Sequence, residues 1–447
     1  MGVMYLAATL RKAGHEVHIH DSAVKPGRRA LLDAIRSFSP NMVGLSALTV
    51  EAGALERATS AIAASFPGLP IIVGGPHATS YPEWVARLPG VVAAVLGEGE
   101  STVVELVHAV SCRSDLSAVN GICYRQADAT LTTPARALIA DVDSIPWPAW
   151  DLVDVAAYSR LSHMAEVGGE RYATILTSRG CAYDCAYCHN IMGRRFRARS
   201  PASVMAELEH LVRELSVRNI LVLDDAFNLD RRRAGEILEW VAESGWRLEL
   251  AFPNGVRADL LDDDLVSRFH RAGTVHLAIA VETASPRLQT SIGRRLDLDR
   301  VQRVISAAAR RRIYTTGFFM LGFPGETAEE MRSTVDYAVR SELHQALFFL
   351  VTLYGGTRLY QMAREATPAL VAREPSFESM NYFQASRGMS AVSNRELLRM
   401  QRNAFRRFYL DPARVARIVR DHPNRRRLPL QGLRVLHRLL PRFERDD

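Results

Sequence analysis

The stretch SRGCAYDCAYCHN, residues 178–190, decides how the chain is read. It places Cys181, Cys185 and Cys188 at C-x3-C-x2-C spacing, directly after an apolar run of strand length at 172–177. Three thiols on a loop at the carboxyl end of a strand can reach one centre together. A structural zinc usually takes four protein ligands, and there is no second cysteine pair nearby. His189 would complete such a set, but its adjacency to Cys188 makes joint ligation awkward. A [4Fe–4S] cluster fits better, since three thiolates hold three irons and leave the fourth open. An open iron in turn implies a ligand that the cluster activates. The other two cysteines, Cys112 and Cys123, stand apart and read as small buried side chains.

Outward from this loop the pattern is regular. Strand candidates at 172–177, 220–223, 248–252, 275–281, 316–321 and 347–353 alternate with helical patterns such as 201–215, 231–244 and 298–312. Such βα repetition describes a partial (β/α)6 barrel, whose chemistry sits on loops at the carboxyl ends of the strands. Polar residues stand at those ends: Asp224 and Asp225, Asn254 and Arg257 in NGVRAD, and Glu282 and Thr283 in VETASP. The segment GFFMLGFPGET at 317–327, which contains Leu321, ends the fifth strand. Asp, Asn and Glu also cap helices, which is the competing reading for each.

Toward the N-terminus, strand candidates at 16–21, 42–47, 71–74 and 91–96 alternate with helices at 51–66 and 101–110. Glycine-rich turns follow two of them, GGPHAT at 74–79 (where His77 reads as a turn residue) and GEGES at 97–101. This is a doubly wound, Rossmann-like pattern with its ligand crevice at the strand ends. The chain opens on MGVMYLAATLRKAG, a helix with no strand before it, so the domain is expected to lack its first strand, either lost or lying upstream. The expected fold is therefore α/β: an incomplete doubly wound domain at 1–110, a partial barrel at 171–357 and a helical, Arg-rich extension at 358–447. Residues 111–170 are expected to form an ordered linker with one small strand at 121–125, its IPWPAWDL segment (145–152) packing on both neighbours.

Composition excludes several classes. With 48% hydrophobic and 23% charged residues the chain is globular rather than fibrous or disordered. The net charge of +7 is concentrated in residues 395–447, with 15 Arg against 6 acidic residues, so no basic groove runs along the molecule. Nucleic-acid and membrane partners are not expected. The longest apolar run, 346–354, is too short for a membrane helix. Five cysteines, an odd number, suit a reducing compartment, and a cytoplasmic location is expected.

These residues resemble the radical S-adenosylmethionine (SAM) superfamily, whose hallmark is this cysteine spacing with an aromatic residue before the last cysteine, here Tyr187. The resemblance implies a [4Fe–4S] cluster on Cys181, Cys185 and Cys188 whose open iron binds the amino and carboxylate groups of SAM. It implies an external one-electron donor of flavodoxin or ferredoxin type, and a 5′-deoxyadenosyl radical that takes hydrogen from a small-molecule substrate. Carried over by position, Asp224 and Asp225 would hold the SAM amino group, Arg257 with Asn254 a carboxylate, Glu282 and Thr283 the ribose or carboxylate, and the backbone around Leu321 the adenine. Tyr187 would line the same site. GVMYLAATLRKAGHEVHIHD, VGLSAL, GGPHAT and GEGEST look like the N-terminal domain of the cobalamin-binding (B12-binding) subfamily, as do HNIMGRRFRARSP (189–201) and LYGGTRLY (353–360). Members of that subfamily methylate unactivated carbon or phosphorus centres with cobalamin, or close and rearrange rings. No Asp-x-His-x-x-Gly segment supplies an axial histidine, and with the first strand missing, cobalamin is left open. The leading expectation is then radical dehydration of an aminoglycoside-type sugar diol, completed by a partner reductase. The alternative is cobalamin-dependent C-methylation in natural-product biosynthesis.

Overall fold

The computed structural model describes residues 1–158, 161, 165, 171–189, 191–366, 368, 377, 380 and 389–439. The N-terminal sheet contains β1 (Val43–Ser46), β2 (Ile71–Gly74), β3 (Val91–Val95), β4 (Ile122–Gln126) and β5 (Ala129–Thr132), in that spatial order. The first three are parallel, and β4 and β5 continue the sheet antiparallel. Alternate side chains of one strand enter opposite cores, as a pleated strand requires. Ile71 and Val73 pack with Ile35, Leu55 and Ile62, while Ile72 packs with Val95, Val103 and Leu106. Burial on both faces explains why these strands are uniformly apolar.

Four details differ from the sequence expectations. Residues 16–20 form no strand, although EVHIHD has a strand pattern. The chain opens on the helix Gly2–Lys12, and β1 stands at the edge of the sheet. Without a first strand beside it the segment has no ladder to join, and an unpaired strand is not stable in water. The strand expected at 121–125 is β4, which pairs with β3 and belongs to the N-terminal sheet. GGPHAT is a short helix, Gly75–Ser80, rather than a turn. Its His77 is fully buried against Tyr81, Trp84 and Phe377, with ring centroids 5.3, 5.0 and 4.8 Å away. Cys123 is buried as expected, but Cys112 is exposed at the end of helix Glu100–Ser111.

The second sheet contains β6 (Tyr172–Ile175), β9 (Asn219–Val222), β10 (Glu249–Val256), β11 (Thr274–Glu282), β12 (Tyr314–Leu321) and β13 (Gln345–Leu350). Their order is β13-β12-β11-β10-β9-β6, all parallel, which is the expected partial barrel. A two-stranded ribbon, β7 (Ser178–Arg179) with β8 (Arg197–Ala198), flanks the cysteine loop. The intervening helices begin where the sequence places a capping side chain. Ser200, Asp230, Asp262, Asp297 and Thr327 each accept a backbone N–H of the following first turn. Thr327 and Glu330 close a capping box.

The 145–152 segment packs on both neighbours. Ala149 N–H donates to Met4 O at 3.1 Å, and Trp150 Nε1 donates to Glu207 of helix Pro201–Arg213 at 3.2 Å. Helix Asn394–Tyr409 lays Phe405 and Phe408 on Phe348 of β13. Arg414 of helix Pro412–Asp421 is buried and donates to the carbonyls of Leu343, Val339 and Ser341 at 2.5, 2.6 and 3.1 Å. Val339 is in the last turn of helix Ala328–Arg340 and Ser341 is its cap, where a cation also meets the favourable end of the helix dipole. No helix of the described residues is long and apolar enough to cross a membrane.

At the opposite end of the barrel from the cysteine loop, His276 meets Thr316 Oγ1 at 2.9 Å, and His344 accepts Thr315 N–H at 3.1 Å. His344 Nε2 lies 3.1 Å from Asp421 of the C-terminal extension. Burial lowers His276 to about 3; burial, only partly offset by Asp421, lowers His344 to about 4. Both are neutral in the folded chain, while the unfolded chain begins to protonate them near pH 6.5. Their contribution is therefore full above that value and is lost as pH falls toward 4 and 3. The urea midpoint of the metal-free chain should drop between pH 7.5 and 5, and His344→Gln should flatten that dependence. An unchanged pH slope in the variant would contradict this account.

Candidate active site

The site is built on the passage from β6 into β7. Asp224, at the end of β9, is wholly enclosed and accepts Thr177 N–H, Thr177 Oγ1 and Ser178 Oγ at 2.6, 2.5 and 2.6 Å. Burial pushes its pKa up, against the opposing pull of these donors and of Arg233. Arg233 brackets the same place from the other side, donating to the carbonyls of Thr177 and Arg199 at 2.6 and 2.7 Å. Gly180 follows with φ +78°, and a Cβ there would run into the carbonyl oxygens of Arg195, Gly193 and Met192. Only glycine allows the two ends of the loop to approach this closely.

The loop then presents Cys181 half-buried, Cys185 buried and Cys188 exposed. Cys181 N–H donates to Gly193 O at 3.2 Å, and Ala186 N–H to Ile292 O at 2.8 Å, tying the loop to itself and to the fourth strand's following helix. Arg257, paired with Asp259 at 2.7 Å, lies 3.7 Å over the Tyr183 ring. Asp184, the carboxylate on the loop, is taken by Arg194 and Arg358. Burial, then the nearby Asp225 and Cys185, raise the Cys181 thiol. A thiol so placed needs a cation to exist as thiolate, which is how metal binding couples to deprotonation. Among the described residues no three His, Cys, Asp or Glu side chains close on one metal position. The fit therefore rests on the donor chemistry: three soft thiols on one anchored loop, with its carboxylate engaged elsewhere.

Behind the loop, Tyr187 and Glu282 from the sequence motifs join Arg294, which no motif announces. Tyr187 donates its hydroxyl to Glu282 Oε1 at 3.1 Å. Arg294 donates to Ala280 O at 2.5 Å, and its Nη1 stands 4.0 Å from Cys185 Sγ. Burial raises Glu282, opposed by Arg294 and Tyr187. The Arg294 pKa is shifted upward: burial lowers it, and Tyr187, Glu282 and Cys185 together outweigh that. Glu282 has φ 70°, a left-handed conformation for a non-glycine residue at the end of a strand. Strain of this kind persists where surrounding contacts hold it, commonly at functional sites. Arg294 was missed because nothing in SIGRRL distinguishes it from its neighbour Arg295.

The other candidates separate into two groups. Asp225 is exposed at the mouth, near Cys181, and burial of its surroundings together with Asp224 raises its pKa. Asn254 is also exposed, its amide donating to Leu223 O at 2.7 Å. Asp224, Thr283 and Leu321 are instead enclosed. Thr283 is enclosed, 3.2 Å from Thr334 Oγ1 and accepting Ser285 N–H at 3.1 Å. Leu321 is in the main core, its carbonyl accepting Val351 N–H at 3.0 Å. Arg257 is buried, paired with Asp259 and set over Tyr183, and its Nη1 has no hydrogen-bond partner.

The N-terminal domain reaches this site directly. Ser80 Oγ is 3.0 Å from His189 Nε2, which also lies 2.9 Å from Gly355 O. Tyr81 OH accepts Gly355 N–H at 2.9 Å, and a Cβ on Gly355 would press on the Tyr81 ring. GGPHATSY, the cysteine loop and LYGG therefore meet at one point. Past β1, Leu48 and Val50 expose 51% and 41% of their surface.

Comparisons with known proteins agree with this geometry. A B12 binding domain is matched at residues 1–107 and the radical SAM superfamily at residues 175–338. Residues 175–338 are thus a radical SAM domain, and residues 1–107 ahead of it a B12-binding domain. An uncharacterized methyltransferase of Pyrococcus horikoshii is 28% identical over 94% of this chain and 90% of its own length. The anaerobic magnesium-protoporphyrin IX monomethyl ester cyclase of Rubrivivax gelatinosus is 26% identical (92% and 74%), and the cytidylyl-2-hydroxyethylphosphonate methyltransferase of Streptomyces wedmorensis 26% (86% and 81%). The fold is shared with the radical SAM methyltransferase TsrM of Kitasatospora setae, at TM-score 0.70 and 22% identity over 82% of this chain and 73% of that one.

The two adjacent aspartates should behave differently. Asp224→Asn turns an amide toward donors and should cost about 3 kcal/mol of stability, as expected for a buried, hydrogen-bonded carboxylate. Asp225→Asn should change stability by less than about 0.5 kcal/mol. Urea unfolding of the two variants checks this, and equal losses would refute the division of roles.

Proposed function

We propose that this radical SAM enzyme is a cobalamin-dependent methyltransferase acting on a small molecule. The observation that carries the reading is the joining of a B12-binding domain to a radical SAM barrel at a seam where Ser80 and Tyr81 touch the cysteine loop and the end of β13. Methyltransferase relatives that align with most of the chain support it. The dehydration expected from the sequence gives way for the same reason: the case for it rested on cobalamin being absent, and residues 1–107 match the B12-binding family.

When bound, the cluster and SAM supply a one-electron cleavage, and cobalamin a methyl carrier. The chain's own residues hold and orient. Cys181, Cys185 and Cys188 anchor the cluster, and Arg294 sets a positive charge behind Cys185. Asp225 and Asn254, open at neighbouring strand ends, are the groups for the polar ends of SAM. Glu282 accepts the Tyr187 hydroxyl and so fixes the ring that precedes Cys188. The exposed Leu48 and Val50 would offer an apolar rest for the cobalamin, while His77 is enclosed by aromatic rings. The electron donor is an external flavodoxin- or ferredoxin-type protein.

Two experiments test this. Any of Cys181→Ala, Cys185→Ala or Cys188→Ala should abolish 5′-deoxyadenosine formation from SAM, while Cys112→Ser should leave it intact. Cleavage that survives loss of a loop cysteine would remove the cluster assignment. Anaerobically reconstituted protein titrated with hydroxocobalamin should take up one equivalent and, with SAM and reductant, release S-adenosylhomocysteine in proportion to bound cobalamin. No uptake, with 5′-deoxyadenosine as the sole nucleoside product, would return the chemistry to direct hydrogen abstraction, as in a cyclase or dehydratase.

A further inference from the structure

The ribbon that carries the cysteine loop has an electrostatic defect. In the pairing of β7 with β8, Arg179 stands directly opposite Arg197. Both side chains are 3% exposed. Like charges facing each other across a strand pair are destabilising, more so where water is excluded. Each strand is only two residues long, so the ribbon has little pairing of its own to set against that repulsion.

The compensation comes from the other domain. Glu98, in the GEGES loop after β3, is buried between the two arginines. It accepts Arg179 Nη1 at 3.0 Å through one oxygen and Arg197 Nη1 at 3.0 and 2.8 Å through both. Ile139 N–H donates to it as well, at 2.9 Å. Glu100 takes the second terminus of Arg179 at 2.5 Å, so two buried cations meet two buried carboxylates. Arg197 passes the restraint onward, since its Nη2 donates to Met192 O at 2.6 Å, inside the cysteine loop. Met192 adjoins Gly193, whose carbonyl accepts Cys181 N–H. The connection runs from the N-terminal domain to the first loop cysteine without a break.

We infer that Glu98 is a positioning residue for the cysteine loop: its carboxylate, contributed by the N-terminal domain, allows the β7–β8 ribbon to close and thereby sets the loop that bears Cys181, Cys185 and Cys188. The N-terminal domain is then part of the structure that shapes the cluster site as well as a ligand-binding module. The inference rests on the proposed function only in taking those cysteines as the cluster's anchors.

The test compares the wild type with E98Q and with E98Q/R197Q, which removes the facing charge as well. E105Q, in the solvent-exposed pair with Arg136, is the control. Amide hydrogen exchange on metal-free protein reads the loop without reference to iron. In E98Q, exchange across 178–198 should rise about tenfold while the barrel strands keep their protection. Iron retained after anaerobic reconstitution should fall about threefold, since a mobile loop holds its metal less well. E98Q/R197Q should restore most of both, because the repulsion is gone and the amides still hydrogen-bond. Wild-type exchange in E98Q would overturn the inference, as would a double variant no better than the single. If E98Q does not fold, a folded double variant with a protected loop supports the inference, and failure of both to fold overturns it. If the wild type takes up no iron, the proposed function falls while the exchange comparison still decides the role of Glu98.

Discussion

The enclosed carboxylate of Asp224 is the constraint on which the active-site end of the barrel depends. A carboxylate out of contact with water persists only if donors replace its hydration, and here Thr177 and Ser178 aim three at it. Meeting that demand fixes the direction in which the chain leaves β6. Arg233, across the same point, binds the carbonyl of Thr177 where the chain enters β7 and that of Arg199 where it leaves β8. Entry and exit of the cysteine loop are therefore referred to one buried assembly of opposite charges. Tight backbone approach at Gly180 follows, since two strand ends pinned to the same place have no room for a side chain between them.

Much of this was legible in the sequence, and the exceptions share a cause. Strand and helix positions in the barrel follow from apolar runs and capping residues, which are local signals, and the cysteine spacing is local too. That Asp224 matters was legible from its place after a strand; its role was not. A side chain at a strand end can turn outward to the mouth or inward to the loop below, and the choice between Asp224 and Asp225 is made by Thr177, 47 residues away in sequence. The pattern at 16–21 misleads for the complementary reason. EVHIHD has strand composition, but a strand is a property of two segments, and the neighbour it requires is not in the sheet. Glu98, Arg179 and Arg197 lie in segments that were singled out as motifs, yet their mutual contact across the domain boundary has no periodicity to betray it.

The heavy use of arginine has structural consequences. Several buried arginines here act less as charges than as distributors of hydrogen bonds. Arg233 serves two carbonyls from separate segments, Arg197 serves Ile139 O and Met192 O besides Glu98, and Arg414 serves three carbonyls at and just past the end of one helix. Five donors on a rigid plane make this possible, and a lysine ammonium, a point charge on a flexible stem, would not span the same set. The basic C-terminal segment is therefore partly scaffold: Arg414 lies 3.8 Å over the Phe408 ring and clasps the barrel's helix end. Its net charge overstates what is free to meet an anionic partner.

The contacts between the domains also bear on where a ligand of the N-terminal sheet would rest. In open α/β sheets the crevice is formed by the carboxyl ends of the strands, and in barrels the chemistry gathers at the same ends. Here those two sets of ends face each other. Thr79 and Ser80 follow β2, Gly97 and Glu98 follow β3, His189 lies on the loop after β7, and Gly355 follows β13. Thr79 Oγ1 accepts Gly97 N–H at 3.0 Å and so ties the two N-terminal loops to each other before either meets the barrel. A ligand resting on β1 to β3 would have the barrel mouth as its second wall. The two sets of loops are thereby interdependent. A change in the GEGES loop or in Ser80 and Tyr81 then acts on both at once, and neither domain presents a complete site alone.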